Sequence, residues 1–182
     1  MADGSLNILL SRTVGIDHIV DHLGERYTPG CVLGEGQFSQ VRLATQLDDD
    51  GKCALKGVSW DVLEDDDDAL KTLQAEVAAL RLIRGQLDIQ PHVVQLHEVL
   101  QVTGDSIYLV LGLVGGMELF EMIARHGPVP QPIARVLSRQ LCGVLTVLHD
   151  SLGLVHRDIK PENRAPKNPN PARPRIHRPV CL

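Results

Sequence analysis

The segment Val155-His156-Arg157-Asp158-Ile159-Lys160-Pro161-Glu162-Asn163 gathers polar and charged side chains directly after a long apolar helical pattern. Asp158, Lys160 and Asn163 stand at i, i+2 and i+5. A loop with that spacing can point a proton acceptor, a cation and a metal-binding amide into one small space.

Two further groups carry chemistry. From Lys52 to Val58, strand-like alternation puts Ala54, Lys56 and Val58 on one face, so one lysine sits among small and apolar side chains. A buried ammonium needs an anion, because removing one partner of such a pair typically costs about 3–5 kcal/mol. Glu76 is the candidate: it lies at the edge of the apolar stripe Leu73, Val77, Leu80, Ile83. Its alternative is an exposed flank residue. Upstream, Gly34-Glu35-Gly36-Gln37-Phe38-Ser39-Gln40-Val41 forms a G-x-G-x-x-S-x-V pattern. Two glycines there bring backbone N–H groups close to an anion without side-chain obstruction. An ordinary hairpin with glycines in its turn is the competing reading.

The elements that must position these groups follow from the pattern. Tyr27 to Leu33, Val41 to Ala44 and Lys52 to Val58 read as three antiparallel strands. Val93 to Leu100 and Ser106 to Leu111 add two more, the last a continuous apolar run suited to a buried place. The acidic run Asp65 to Asp68 reads as a solvated turn whose last member, Asp68, caps a helix from Ala69 to Arg84. Gly112-Leu113-Val114-Gly115-Gly116 reads as a hinge, followed by a short helix from Met117 to His126 that ends at Gly127-Pro128. A longer helix from Pro132 to Leu152 then delivers the polar loop, with Ile133, Val136, Leu137, Leu141, Val144, Leu145 and Leu148 on one broad face.

Residues 5 to 24 have apolar groups at helical spacing, with Ile16, Ile19, Val20 and Leu23 on one side, and predict a helical or irregular extension. His18 and His22, one turn apart beside Asp17 and Asp21, echo half a zinc site. With no third ligand in view, a solvated helix face is the preferred reading.

Taken together, the glycine loop, Lys56, Glu76, the hinge and the His156-Arg157-Asp158-Ile159-Lys160-Pro161-Glu162-Asn163 passage resemble the N-terminal half of a eukaryotic protein kinase. The fold class this implies is α+β: a five-stranded antiparallel sheet plus one helix as the N-lobe, and the first part of a helical C-lobe. The resemblance divides the chain into an N-terminal extension over 1–26, a partial kinase domain over 27–163 and a Pro/Arg-rich tail over 164–182. Within the domain it sets an N-lobe over 27–111, a hinge over 112–116 and the start of a C-lobe over 117–163. It implies ATP and Mg2+ as cofactors. Leu33, Gly34, Glu35, Gly36, Gln37, Phe38, Ser39, Val41, Ala54, Leu111, Leu113 and Glu118 would surround the nucleotide, and Lys56, anchored by Glu76, would hold the α- and β-phosphates. Asp158 would accept the proton of a substrate hydroxyl, Lys160 would steady the transferred group, Asn163 would bind the second magnesium and Arg157 would meet a phosphorylated activation loop. Lys160 at its place resembles the Ser/Thr kinases, and Gly115-Gly116-Met117-Glu118-Leu119-Phe120 looks most like the calcium/calmodulin-dependent group.

The departures are also specific. Ser39 replaces the third loop glycine, and Gly112 stands where the family commonly has an acid. After Asn163 the run Arg164-Ala165-Pro166-Lys167-Asn168-Pro169-Asn170-Pro171 is unsuited to a strand, since each proline lacks an amide donor. No Asp-Phe-Gly segment follows. The expectation is a family member truncated just past its catalytic loop, inactive as this chain alone; the alternative to an impaired enzyme is a silent module that binds nucleotide or a partner.

Composition sets bounds. The 182 residues carry a net charge of −5, which argues against a nucleic-acid partner held by phosphate neutralisation over the whole surface. Arg164, Lys167, Arg173, Arg175 and Arg178 make the tail basic and leave the body acidic. The tail is expected to be disordered or polyproline-like rather than a nucleic-acid or SH3-type ligand. Four scattered cysteines without Cys-x-x-Cys spacing fit a reducing compartment, and no apolar run approaches membrane length. A soluble, cytoplasmic protein with no membrane association, acting on protein Ser/Thr and answering to a regulatory protein, is the expectation.

Overall fold

In the computed structural model, which describes residues 14–116 and 118–160, the period-two stretches become strands. They are β1 (His18–Val20), β2 (Tyr27–Glu35), β3 (Gln40–Gln46), β4 (Lys52–Ser59), β5 (Leu96–Val102) and β6 (Ser106–Gly112). One sheet holds all six in the order β1-β5-β6-β4-β3-β2. The five expected strands are present and pair antiparallel with one another. The sixth corrects the expectation of a helical or irregular extension: His18, Ile19 and Val20 pair in parallel with Leu100, Gln101 and Val102. The helical spacing of Ile16, Ile19, Val20 and Leu23 yields to backbone pairing at an open edge, which the β-branched Ile19-Val20 pair suits. Asp17 reinforces it, since its N–H donates to Val99 O at 2.9 Å and its Oδ2 accepts from Val99 N at 2.7 Å.

Register sorts the side chains. Gly34, Val41, Lys56 and Leu109 form one row across β2, β3, β4 and β6, and Leu43, Ala54 and Leu111 form the next row on the same face. The alternate positions face the other way. There Tyr27, Ala44, Cys53, Leu55, Leu100, Val102 and Val110 make a buried cluster, with Val20 and Leu23 packed against it.

β1 and β2 are opposite edges of the sheet, yet only residues 21–26 join them. Five flat inter-strand steps span about 24 Å, close to the reach of so short a link even when fully extended. Leu23–Glu25 is a 3-10 turn, which shortens that reach further. The sheet therefore curls around its cluster. Tyr27, at the start of β2, accordingly donates its hydroxyl to Oε1 of Glu98 on β5. Oε2 of the same buried carboxylate lies 3.1 Å from Arg26 Nη2 and 3.3 Å from His18 Nε2. Burial first, then the bond to Glu98, pushes the Tyr27 phenol well above its usual range. Of the four residues that echo half a zinc site, His18 and Asp17 are thus engaged with β5.

Two helices follow β4. α1 (Trp60–Asp65), which the sequence pattern did not signal, is capped by Ser59, whose Oγ accepts from Val62 N at 3.4 Å. α2 (Asp67–Arg84) is capped by Asp66, not Asp68: Asp66 Oδ1 accepts from Asp68 N at 2.8 Å and Ala69 N at 3.2 Å. The charge run supplies the cap two residues earlier because α1 ends at Asp65 and leaves Asp66 extended. Later come α3 (Leu119–His126), ended by Gly127 at φ 80°, and α4 (Gln131–Thr146), continued by a π-helical turn at Val147–Ser151. The positive φ at Gly127 would strain a larger residue.

The chain divides into two units, one within residues 1–78 and 96–113, the other within 79–95 and 114–182. In the second, Ile83, Ile89, Val93, Val144 and Leu148 form the buried cluster, with Leu141, Leu145, Leu152 and Leu154 against it. No described helix is long and apolar enough to cross a membrane.

Cys31 and Cys142 are exposed, whereas Cys53 is buried and its thiol is pushed up by burial, then by Glu98 and Asp49. Less thiolate and less access both slow attack. Iodoacetamide at pH 8 is expected to modify Cys31 and Cys142 promptly and Cys53 only on unfolding, as read by peptide mass mapping.

Candidate active site

β4 and α2 build the first part of the site. Lys56 projects from the middle of β4 beside Val41 and Leu109 in its row. Glu76 projects from α2, whose Ala69, Leu73 and Val77 are buried. Lys56 Nζ lies 2.7 Å from Glu76 Oε1 and 2.6 Å from Oε2, with the side chains 23% and 12% exposed. Such a charge-assisted, two-oxygen contact fixes where the ammonium sits while leaving part of it open. Of the two readings of Glu76, the structure shows the pair.

The glycine loop is the tip of the β2–β3 hairpin. Gly36 N donates to Ser39 O at 2.8 Å, and Gln40 Nε2 donates to Glu35 Oε1 at 3.0 Å. Neither Gly34 nor Gly36 is among the residues with positive φ, so both matter for the missing side chain rather than for left-handed backbone. A Cβ at Gly36 would meet Ser39 Oγ at 3.1 Å, whereas at Gly34 nothing lies within 4 Å. The open space is at Gly34, in the row of Lys56.

The structure therefore brings Gly34, Val41, Ala54, Lys56, Leu111 and Glu76 to one side of the sheet. Glu35, Gly36, Phe38 and Ser39 instead line a groove of about 430 Å³ with Arg42, Gly57 and Tyr108, residues of the opposite face. Leu33 is exposed within the second irregularity of β2, between Val32 and Gly34, and Gln37 is exposed at the hairpin tip. Gly112 ends β6 opposite Cys53, and Leu113 is exposed just beyond it.

In the second unit, Glu118 precedes α3 with extended backbone and accepts from Met122 N through its carbonyl at 2.8 Å. After the π-helical turn, Gly153 adopts φ 65° and Leu154 N donates to Leu148 O at 2.8 Å, tying the polar loop to the buried cluster. His156 is buried, and Asp158 N donates to its carbonyl at 2.9 Å and to its Nδ1 at 3.1 Å. Between them Arg157 holds φ 65°, a left-handed conformation that costs a non-glycine residue about 1–3 kcal/mol and persists only where surroundings enforce it. The outcome is an exposed Asp158 carboxylate 2.8 Å from Lys160 Nζ, a proton acceptor beside a cation. Asn163, the metal-binding candidate, and the tail from 164 lie outside the described residues.

Sequence reasoning missed the Glu98 cluster. The one acid of β5, at a position that alternation places with the buried Leu96 and Leu100, was its signal, but the partners Tyr27 and His18 are far away in the chain.

Comparison with known proteins bears on these arrangements. The family model described as protein kinase domain matches residues 27–165. CBL-interacting serine/threonine-protein kinase 16 of Arabidopsis thaliana is 37% identical over 141 residues, covering 78% of this chain and 29% of that protein. CBL-interacting protein kinase 17 of Oryza sativa subsp. japonica is 39% identical over 143 residues, covering 75% of this chain and 28% of the relative. The chain spans between 25% and 32% of the length of eight curated relatives it matches. Among solved structures, Rad53 1-466 in complex with AMP-PNP is similar with a TM-score of 0.66 and 26% identity, over 85% of this chain and 39% of that one.

Proposed function

We propose, from the premise that this chain belongs to the protein kinase domain family, that it carries the phosphate-holding and proton-accepting residues of a Ser/Thr protein kinase. The reaction is transfer of the γ-phosphoryl group of ATP to a protein hydroxyl. The observation that carries this reading is the Lys56–Glu76 pair, a partly exposed ammonium fixed by two carboxylate oxygens on an otherwise apolar face. Such a cation suits a phosphate: the face offers Val41, Ala54 and Leu111 as apolar walls, and Glu76 keeps Lys56 extended toward them.

Asp158, held at its amide by His156, accepts or orients the proton of the attacking hydroxyl, and Lys160 beside it steadies the transferred group. Magnesium would screen the phosphates when bound. For that ion the described residues hold no group of three or more His, Cys, Asp or Glu side chains, and Asn163 is the ligand proposed from the family pattern. No step is derived through the metal.

A finer part of the proposal concerns this 182-residue chain alone. Residues 164–182 contain no Asp to take the family's principal magnesium position, so the chain binds nucleotide without appreciable transfer. Labelled phosphate from MgATP, offered with a generic Ser/Thr protein substrate, is expected to remain unincorporated. Incorporation that Asp158→Ala abolishes overturns the silent-chain reading, and a folded chain that fails to bind ATP overturns the nucleotide reading. A CBL protein as regulatory partner is proposed from the relatives' names, and titration with purified CBL tests it.

A further inference from the structure

The residue after Lys56 is Gly57, in the interior of β4, where a glycine weakens a strand and packs nothing. Register places it directly opposite Tyr108 on β6. A Cβ built at Gly57 would lie 2.7 Å from Tyr108 Cε1 and 3.1 Å from Cδ1, so the ring lies across the glycine in the space a side chain would need. The ring is held at its far end too. Its hydroxyl donates to Asp105 Oδ2 at 3.3 Å, and the Asp105 carbonyl accepts from Trp60 N at 2.9 Å. Tyr108 is thus anchored to the β5–β6 turn, and its body covers the one β4 position without a side chain, the arrangement by which a cross-strand aromatic compensates a strand glycine.

Lys56 is the neighbouring residue and points to the opposite face, where its ammonium meets both oxygens of Glu76 at 2.6–2.7 Å. That contact tolerates little movement of the β4 backbone. We infer that Gly57 and Tyr108 are a matched pair that positions Lys56: because position 57 carries no side chain, the ring seats against bare backbone and β4 keeps the height that lets the ammonium reach Glu76. Any side chain at position 57 would force either the ring off the strand or β4 away from β6, and the second moves Lys56. The consequence for phosphate binding rests on the proposed function; the consequence for the ion pair does not.

Both are read on the folded 182-residue chain. Lys56 acetylation by acetic anhydride, followed by mass mapping, reports the ion pair; exposed Lys71 serves as internal reference and buried Cys53 labelling as a monitor of sheet opening. Gly57→Val is expected to raise Lys56 acetylation several-fold relative to Lys71, to weaken MgATP binding by about tenfold, the worth of one charge-assisted contact, and to leave Cys53 protected. Adding Tyr108→Ala, which vacates the space, is expected to return Lys56 acetylation toward the parent value. Gly57→Ala is the smaller variant to use if valine prevents folding. Unchanged Lys56 acetylation in a folded Gly57 variant, a rise matched by Cys53 exposure, or no recovery in the double variant overturns the inference. Should the parent chain bind no MgATP while Gly57 variants still change Lys56 acetylation, the positioning pair stands and the proposed function falls.

Discussion

Glu98→Ala is expected to destabilise the sheet unit by about 3–5 kcal/mol, the range for removing one partner from a buried charge network. Glu98 is 8% exposed and accepts from Tyr27 while facing Arg26 and His18. Its loss strands the Tyr27 hydroxyl in the core, which alone costs about 1–3 kcal/mol, and leaves the Arg26 guanidinium without its anion. Glu98→Gln keeps an acceptor for Tyr27 and is expected to cost clearly less than alanine. Urea unfolding of the three proteins measures this, and equal losses for Gln and Ala would sink the network interpretation. The same cluster sets an alkaline limit. Because the folded state raises the Tyr27 phenol, its contribution is complete below the unfolded tyrosine value near about pH 10 and is lost as pH rises beyond it. Tyr27→Phe should flatten that alkaline fall.

The second large effect separates stability from nucleotide binding. Lys56→Met leaves the nearly buried Glu76 carboxylate without its cation, and Glu76→Leu does the converse; each is expected to lower stability and to weaken MgATP binding by about 10–100-fold, since hydrogen bonds to charged groups are worth about 1.5–3 kcal/mol. The double variant Lys56→Met/Glu76→Leu should recover most of the stability, because an apolar pair of similar volume often replaces a buried ion pair without loss. It should recover none of the binding. Thermal unfolding and calorimetric titration distinguish the two, and regained ATP affinity in the double variant would refute the phosphate-holding role of Lys56.

What could be read in the sequence were the features with a short repeat. Period two located Lys56 on a face with Ala54 and Val58, and period 3.6 located Glu76 beside Leu73 and Val77, so their meeting followed from two local patterns. Local patterns fail where contact comes from distant parts of the chain. The three residues of β1 are too few to show alternation, and its pairing with Leu100 to Val102 depends on an edge that forms only once β5 is placed. Asp66 displaced Asp68 as the cap because α1, six residues long, decides where α2 can begin. In the polar loop, the identities of Asp158 and Lys160 were legible, but the left-handed Arg157 and the use of His156 Nδ1 to hold the Asp158 amide were not, since neither residue type advertises that conformation.

The arrangement of the strands bears on how the molecule behaves among its own copies. An open sheet presents unpaired backbone groups at each border, which can template a neighbour's strand and begin aggregation. Here both borders are blunt. One is β1, only three residues long, and the other is β2, which carries Pro29 and loses register between Pro29 and Val32 and again between Val32 and Gly34. A short strand offers too few bonds to nucleate addition, and a proline with two irregularities denies a straight ladder to anything that docks. Residues 18–20 therefore do more than cover the core: by seating β1 on β5, they exchange a seven-residue border for one that ends almost as soon as it starts.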